Sequence, residues 1–111
     1  MDVTGRWARG NGQDGVYISA ATNNTVGFAT ASGRNLISSN GRHGVHIANA
    51  SGAGNRVHGN YIGTDTTGME RENSGQPLGN QDGVHLLNSA HSAIVSNLIS
   101  ANLSDGIEIE G

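Results

Sequence analysis

The chain has 111 residues, a net charge of −3, no cysteine, and six basic residues that are all arginine. That length allows one domain with one core. The few, scattered arginines exclude an electrostatic nucleic-acid footprint and a polybasic membrane anchor, and no apolar run is long enough to insert in a membrane as a helix.

Glycine (18 residues) and asparagine (13) are abundant, while proline occurs once and aromatics make up 4%. Such a composition points to many tight turns, because these two residues tolerate positive φ. Residues 1–10, MDVTGRWARG, lack the apolar stretch of a signal peptide. Val3 and Trp7 are expected to belong to a cap or to the tail of a preceding turn.

The first β-prone element is QDGVYI at 13–18, and its motif returns as RHGVHI at 42–47, QDGVHL at 81–86 and SDGIEI at 104–109. A second element follows it, marked by Val26, Val57 and Ile94. The third is NLISSN at 35–40, NYIGTD at 60–65 and NLISAN at 97–102. The motif glycines Gly15, Gly44, Gly83 and Gly106 are 29, 39 and 23 residues apart. Removing insertions of six residues after Val26, two before Val57 and 14 within 63–80 leaves a constant repeat of 23.

A 23-residue unit with three short strands, none stable alone, is one turn of a solenoid whose strands stack into parallel sheets. Period-two alternation places Val16 and Ile18 inward and Tyr17 outward, and likewise in each later copy. Asn35, Asn60 and Asn97 form one column, and Asn11, Asn40 and Asn102 another. Both are expected to turn corners in the left-handed conformation and to form amide ladders. No i, i+4, i+7 apolar stripe supports helices, and a sandwich would not keep one motif in one phase.

The strings NNTVG, RNLISSNGRHGVHI, NRVHGNYIGTDTTG and GNQDGVHL resemble the right-handed parallel β-helix repeat family of bacterial exported and surface proteins. The resemblance covers residues 11–111. It implies an all-β solenoid of about four coils in a single domain, 1–111, with coils at about 12–40, 41–80 and 81–102 and a partial one at 103–111. It also implies a secreted or cell-surface setting as part of a longer chain. The fold hosts lyases, hydrolases, epimerases, adhesins and stalks, so it does not fix a function.

Three groups carry possible chemistry. Tyr17, His46, His85 and Glu108 share one outward position in successive repeats, about 5 Å apart. They read as a solvent-facing polar column or as a proton-sharing or metal-binding pair at His46 and His85. No fixed spacing of three or four zinc ligands appears. Asp14, Asp82 and Asp105, interrupted by His43, form an acidic row that reads as turn caps or as a calcium site. The insertion at 63–80 brings Asp65, Glu70 and Arg71, and is expected to lie over His46 and His85 and to form a groove with them.

The resulting expectation is a binding or scaffold module that contacts polysaccharide or a surface partner, with Tyr17, His46, His85, Asp65, Glu70 and Arg71 as binding residues and no resident cofactor. The alternative is a polysaccharide lyase or hydrolase using His46, His85 and Asp82 as acid and base, with Arg71 neutralising a uronate. A third reading is a structural unit. There the apolar strand at 106–111 pairs with a second copy to form a homo-oligomer.

Overall fold

The computed structural model describes residues 1–111. Its elements follow the sequence repeat. The first repeat gives β1 (Val16–Ser19), β2 (Thr25–Val26) and β3 (Leu36–Ile37), and the second β4 (Val45–Ala48), β5 (Arg56–His58) and β6 (Tyr61–Ile62). An excursion with β7 (Glu72–Asn73) and β8 (Gln76–Pro77) follows. The third repeat gives β9 (Val84–Leu87), β10 (Ala93–Val95) and β11 (Leu98–Ile99), and the chain closes on β12 (Ile107–Glu110).

The protein is all-β, with one short 3-10 turn at Ala31–Gly33 inside the six-residue insertion. Equivalent strands pair in parallel. One sheet runs β1-β4-β9-β12, a second β2-β5-β10 and a third β3-β6-β11, while β7 and β8 form an antiparallel hairpin. The register matches the motif alignment at each step: Val16 pairs with Val45, Val45 with Val84 and Val84 with Ile107. Val57 pairs with Val26 and Ile94, and Ile62 with Ile37 and Ile99.

The core is a narrow file of Ile37, Val45, Ile47, Val57, Ile62, Val84 and Leu86, with Val16, Ile18, Val26, Ile94 and Ile99 packed against it. A fully buried side chain of this type contributes about 1.5–3 kcal/mol. Burial thins toward β12, whose Ile109 is 74% exposed.

Asparagine ladders run beside the core. Asn35 Nδ2 donates to Asn60 Oδ1 (3.0 Å), and Asn60 Nδ2 donates to Asn97 Oδ1 (3.1 Å). The second ladder runs from Asn40 through Asn80 to Asn102. Asn80 was not expected in it, and Asn11 joins only through its backbone N–H to Asn40 Oδ1. A third pair, Asn24 to Asn55, was also unforeseen. The ladder asparagines do not take the left-handed conformation themselves. Before Asn40, Asn60, Asn97 and Asn102, though not before Asn35, Asn55 or Asn80, positive φ falls on the preceding residue: Ser39, Gly59, Ser96 and Ala101. That residue makes the bend, and the asparagine after it points its amide along the stack.

The excursion at 63–80 does not cover His46 and His85, contrary to the expectation. Thr66 N–H donates to Gly5 O (2.9 Å) and Asn73 Nδ2 to Arg6 O (2.6 Å), so it packs on the N-terminal segment. Its other side shares a cleft with Ala101, Asn102 and Leu103. No hydrogen bond or ion pair joins it to either histidine. Its internal turn is organised by Asp65.

Candidate functional site

The outer surface of the first sheet carries a seam built by the Asp-Gly turns and the strands they open. Each turn aspartate uses its two oxygens differently. Asp14 Oδ1 accepts the His43 backbone N–H of the next repeat (3.0 Å), and Asp82 Oδ1 accepts that of Asp105 (3.2 Å). This is the capping role the sequence suggested, made between repeats rather than within one turn. The second oxygen faces histidine. Asp14 Oδ2 lies 3.2 Å from His46 Nδ1, and Asp82 Oδ2 lies 3.3 Å from His85 Nδ1.

The second repeat has His43 in place of the aspartate. Its ring turns into the column, 4.9 Å from the His46 ring and 4.3 Å from the His85 ring. His46 and His85 are 5.0 Å apart, as one strand spacing requires. His46 and His85 are therefore buried rather than solvent-facing. The added imidazole and the flanking carboxylates cover them. Tyr17 and Glu108 keep the predicted outward positions, Tyr17 stacking on His46 at 4.8 Å while remaining 58% exposed.

His43 Nδ1 stands 2.9 Å from Asp82 Oδ2 yet has no hydrogen-bond partner. The two atoms meet without an N–H directed at the oxygen. His85 Nδ1 is also 3.2 Å from Glu108 Oε2, and its Nε2 is 3.6 Å from Glu110 Oε2. Burial lowers the pKa of His43, helped by repulsion from His85 and opposed by Asp82 and Asp14. Burial alone would raise Asp82, but bonds from Asp105 N–H, His85 and Glu108 outweigh it and leave the carboxyl lowered. Glu108 is raised, first by its hydrogen bond with Glu110 and then by burial and by Asp82.

Four sets of side chains stand close enough to share an ion: Asp14 with His43 and His46, His43 with Asp82 and His85, His85 with Glu108 and Glu110, and Asp82 with Asp105 and Glu108. The calcium trio Asp14, Asp82 and Asp105 does not form, because His43 separates Asp14 from the other two along the row. His43 and Glu110 are the members that sequence reasoning missed. Laying RHGVHI over QDGVHL puts His43 beside Asp82, which was the available signal.

Asp65, Glu70 and Arg71 are not part of this seam. Asp65 and Glu70 border a separate pocket of about 210 Å³ with Arg6, Glu72 and Asn73. Arg71 borders the cleft at Ala101–Leu103 on the other side of the excursion. The expected groove combining Arg71 with His46 and His85 is therefore absent.

Asp65 acts as the organiser of its loop. Its Oδ1 accepts from Thr67 Oγ1 (2.6 Å), Thr67 N–H (3.0 Å) and Glu70 N–H (3.3 Å). Burial pushes its pKa up, but these bonds, with the Thr67 hydroxyl foremost, leave it lowered overall. Asp65→Ala is expected to cost about 2 kcal/mol at pH 7, since three bonds to a charged acceptor are lost. A lowered folded-state pKa gives stability that is present above the unfolded value, about 4, and lost as the pH falls through the folded value. The gap between wild type and Asp65→Ala should narrow from pH 7 to pH 3 in urea titrations.

Compared with known proteins, the chain matches no family model, no curated protein and no solved structure.

Proposed function

We propose that the chain is a right-handed β-helical solenoid serving as a carbohydrate-binding scaffold module, with its ligand lying along the outer surface of the first sheet. The solenoid reading is supported by three parallel sheets that share one 23-residue register and by the right-handed preference of parallel crossovers. The observation that carries the binding reading is Tyr17. Its ring is exposed and is held by stacking on a buried histidine, which gives a pre-ordered aromatic platform for the apolar face of a sugar.

Electrostatics narrows the ligand. Asp14, Asp82, Asp105, Glu108 and Glu110 make the face anionic, so neutral or amino-substituted glycans fit it better than uronates. A lyase mechanism is disfavoured for the same reason: Arg71, the cation assigned to neutralise a uronate, lies with the excursion. The setting we propose remains a secreted or surface protein of bacterial type, on the resemblance already described.

Calorimetry against neutral glucans, xylan and chitosan oligomers, with alginate and pectin as acidic controls, tests the reading. Binding should be saturable for a neutral or basic glycan and should weaken at least tenfold in Tyr17→Ala. No binding to any of them, or binding indifferent to Tyr17→Ala, overturns it.

A structural reading is favoured by one observation, the exposed apolar side chains Ile107 and Ile109 of β12. Strand addition there by a second copy would extend the first sheet. Light scattering should then show a dimer that Ile109→Lys converts to monomer. A wild-type monomer refutes this reading.

A further inference from the structure

We propose that His43, Asp82 and His85 form a site for a single divalent transition-metal ion of the zinc class. This inference stands on the seam's geometry and does not depend on the glycan reading.

The first argument is spacing. The Nδ1 atoms of His43 and His85 stand 2.9 and 3.3 Å from the same oxygen, Asp82 Oδ2. Two ligand atoms on a tetrahedral ion with bonds of about 2.0–2.1 Å lie about 3.3 Å apart. The three side chains bring their donor atoms within 4.8 Å of one another.

The second argument is the unsatisfied nitrogen. His43 is only 5% exposed, and its Nδ1 points into the cluster without a hydrogen bond. Buried polar atoms are rarely left so, and its 2.9 Å approach to Asp82 Oδ2 without a directed N–H calls for a shared partner. A cation is a partner that Nδ1, His85 and Asp82 can all share.

The third argument is charge. Every ion pair of the seam uses a histidine as its only base, and no arginine approaches the carboxylates. The acidic cluster therefore lacks a fixed positive charge, which a bound ion supplies.

The donor set selects the metal. Two imidazoles and one carboxylate suit zinc and its neighbours, whereas calcium and magnesium require oxygen ligands. Glu108, 3.2 Å from His85 Nδ1, belongs to the neighbouring sets with Glu110 and Asp105 and not to this one, so the fourth position is left to water. The ligands sit on the turns and first residues of two adjacent strands, so the backbone fixes them in advance.

Calorimetry of the full chain with zinc chloride, after chelator treatment, is the test. One site of micromolar or tighter affinity is expected, with Tm rising by about 10 °C at a zinc concentration 100 times Kd. His43→Asn and His85→Gln should each weaken binding at least tenfold, while the His58→Gln/His91→Gln double variant should leave it unchanged. His46→Gln separates this site from the neighbouring Asp14, His43 and His46 set, and should weaken binding less than threefold. Cobalt titration of the unmutated protein needs no variant to fold: intense visible bands of tetrahedral cobalt are expected. No saturable binding overturns the proposal. So does weak binding of several ions lost in the His58/His91 variant, or a His46→Gln loss equal to that of His85→Gln.

Discussion

Replacing Asn80 by alanine should lower the unfolding free energy by about 4 kcal/mol, a large part of the 5–15 kcal/mol typical of a domain. Asn80 is fully buried and uses every donor and acceptor of its amide. Its Oδ1 accepts from Asn40 N–H (3.0 Å) and Asn40 Nδ2 (2.9 Å), and its Nδ2 donates to Ile37 O (3.0 Å) and Asn102 Oδ1 (3.1 Å). Alanine leaves all four partners without it, and Asn40 and Ile37 are themselves buried. Removing one side of a buried network costs more than removing both, because the orphaned groups cannot reach water. Asn11→Ala is the control. The Asn11 side chain makes only a 3.3 Å bond to Asp14 O at an exposed position, so its loss should cost about 0.5 kcal/mol or less. Urea unfolding of the three proteins checks the order, and equal midpoints would show that the ladder is ornamental.

That contrast shows how far the residues could be read. The register was legible because strand pairing preserves phase: each DGV motif fell on its partner once the insertions were removed. Asn80 was not, because it ends the 14-residue excursion and so looks like loop sequence, although its amide sits mid-ladder. The left-handed corners were misplaced by one residue, because the bend and the amide it aims belong to neighbours, as at Ser39 and Asn40. The excursion's position depended on contacts with Gly5 and Arg6, and no periodicity encodes contacts between a loop and a segment outside the repeat. The histidine cluster was half legible. His46 over His85 follows from the register. His43 looked like a break in an acidic row, because a turn position ordinarily faces solvent and its ring here turns inward.

The glycine of each DGV motif supplies the second large effect, and it tests the stacked arrangement itself. A Cβ on Gly44 would stand 2.6 Å from Gly83 O, 2.8 Å from Asn80 Nδ2 and 2.9 Å from Ile62 Cγ2. On Gly83 it would meet Gly106 O at 2.5 Å and Ile99 Cγ2 at 2.6 Å. The obstruction is the carbonyl of the next repeat's own glycine, which also accepts the hydrogen bond that starts the strand: Val45 N–H to Gly83 O (3.0 Å) and Val84 N–H to Gly106 O (2.9 Å). Backbone cannot step aside without breaking that bond, so overpacking here costs the upper end of its range, about 3 kcal/mol. Gly106 occupies the same motif position, and a Cβ there meets only Ile99 Cγ2 at 3.6 Å, an ordinary contact. Gly106→Ala should be neutral, or stabilising by about 0.5 kcal/mol through the unfolded chain. One substitution in one motif should therefore change from severe at Gly44 and Gly83 to harmless at Gly106. A uniform cost along the column, read from thermal or urea unfolding, would mean that these glycines are needed for their own turn and not for the approach of the next repeat.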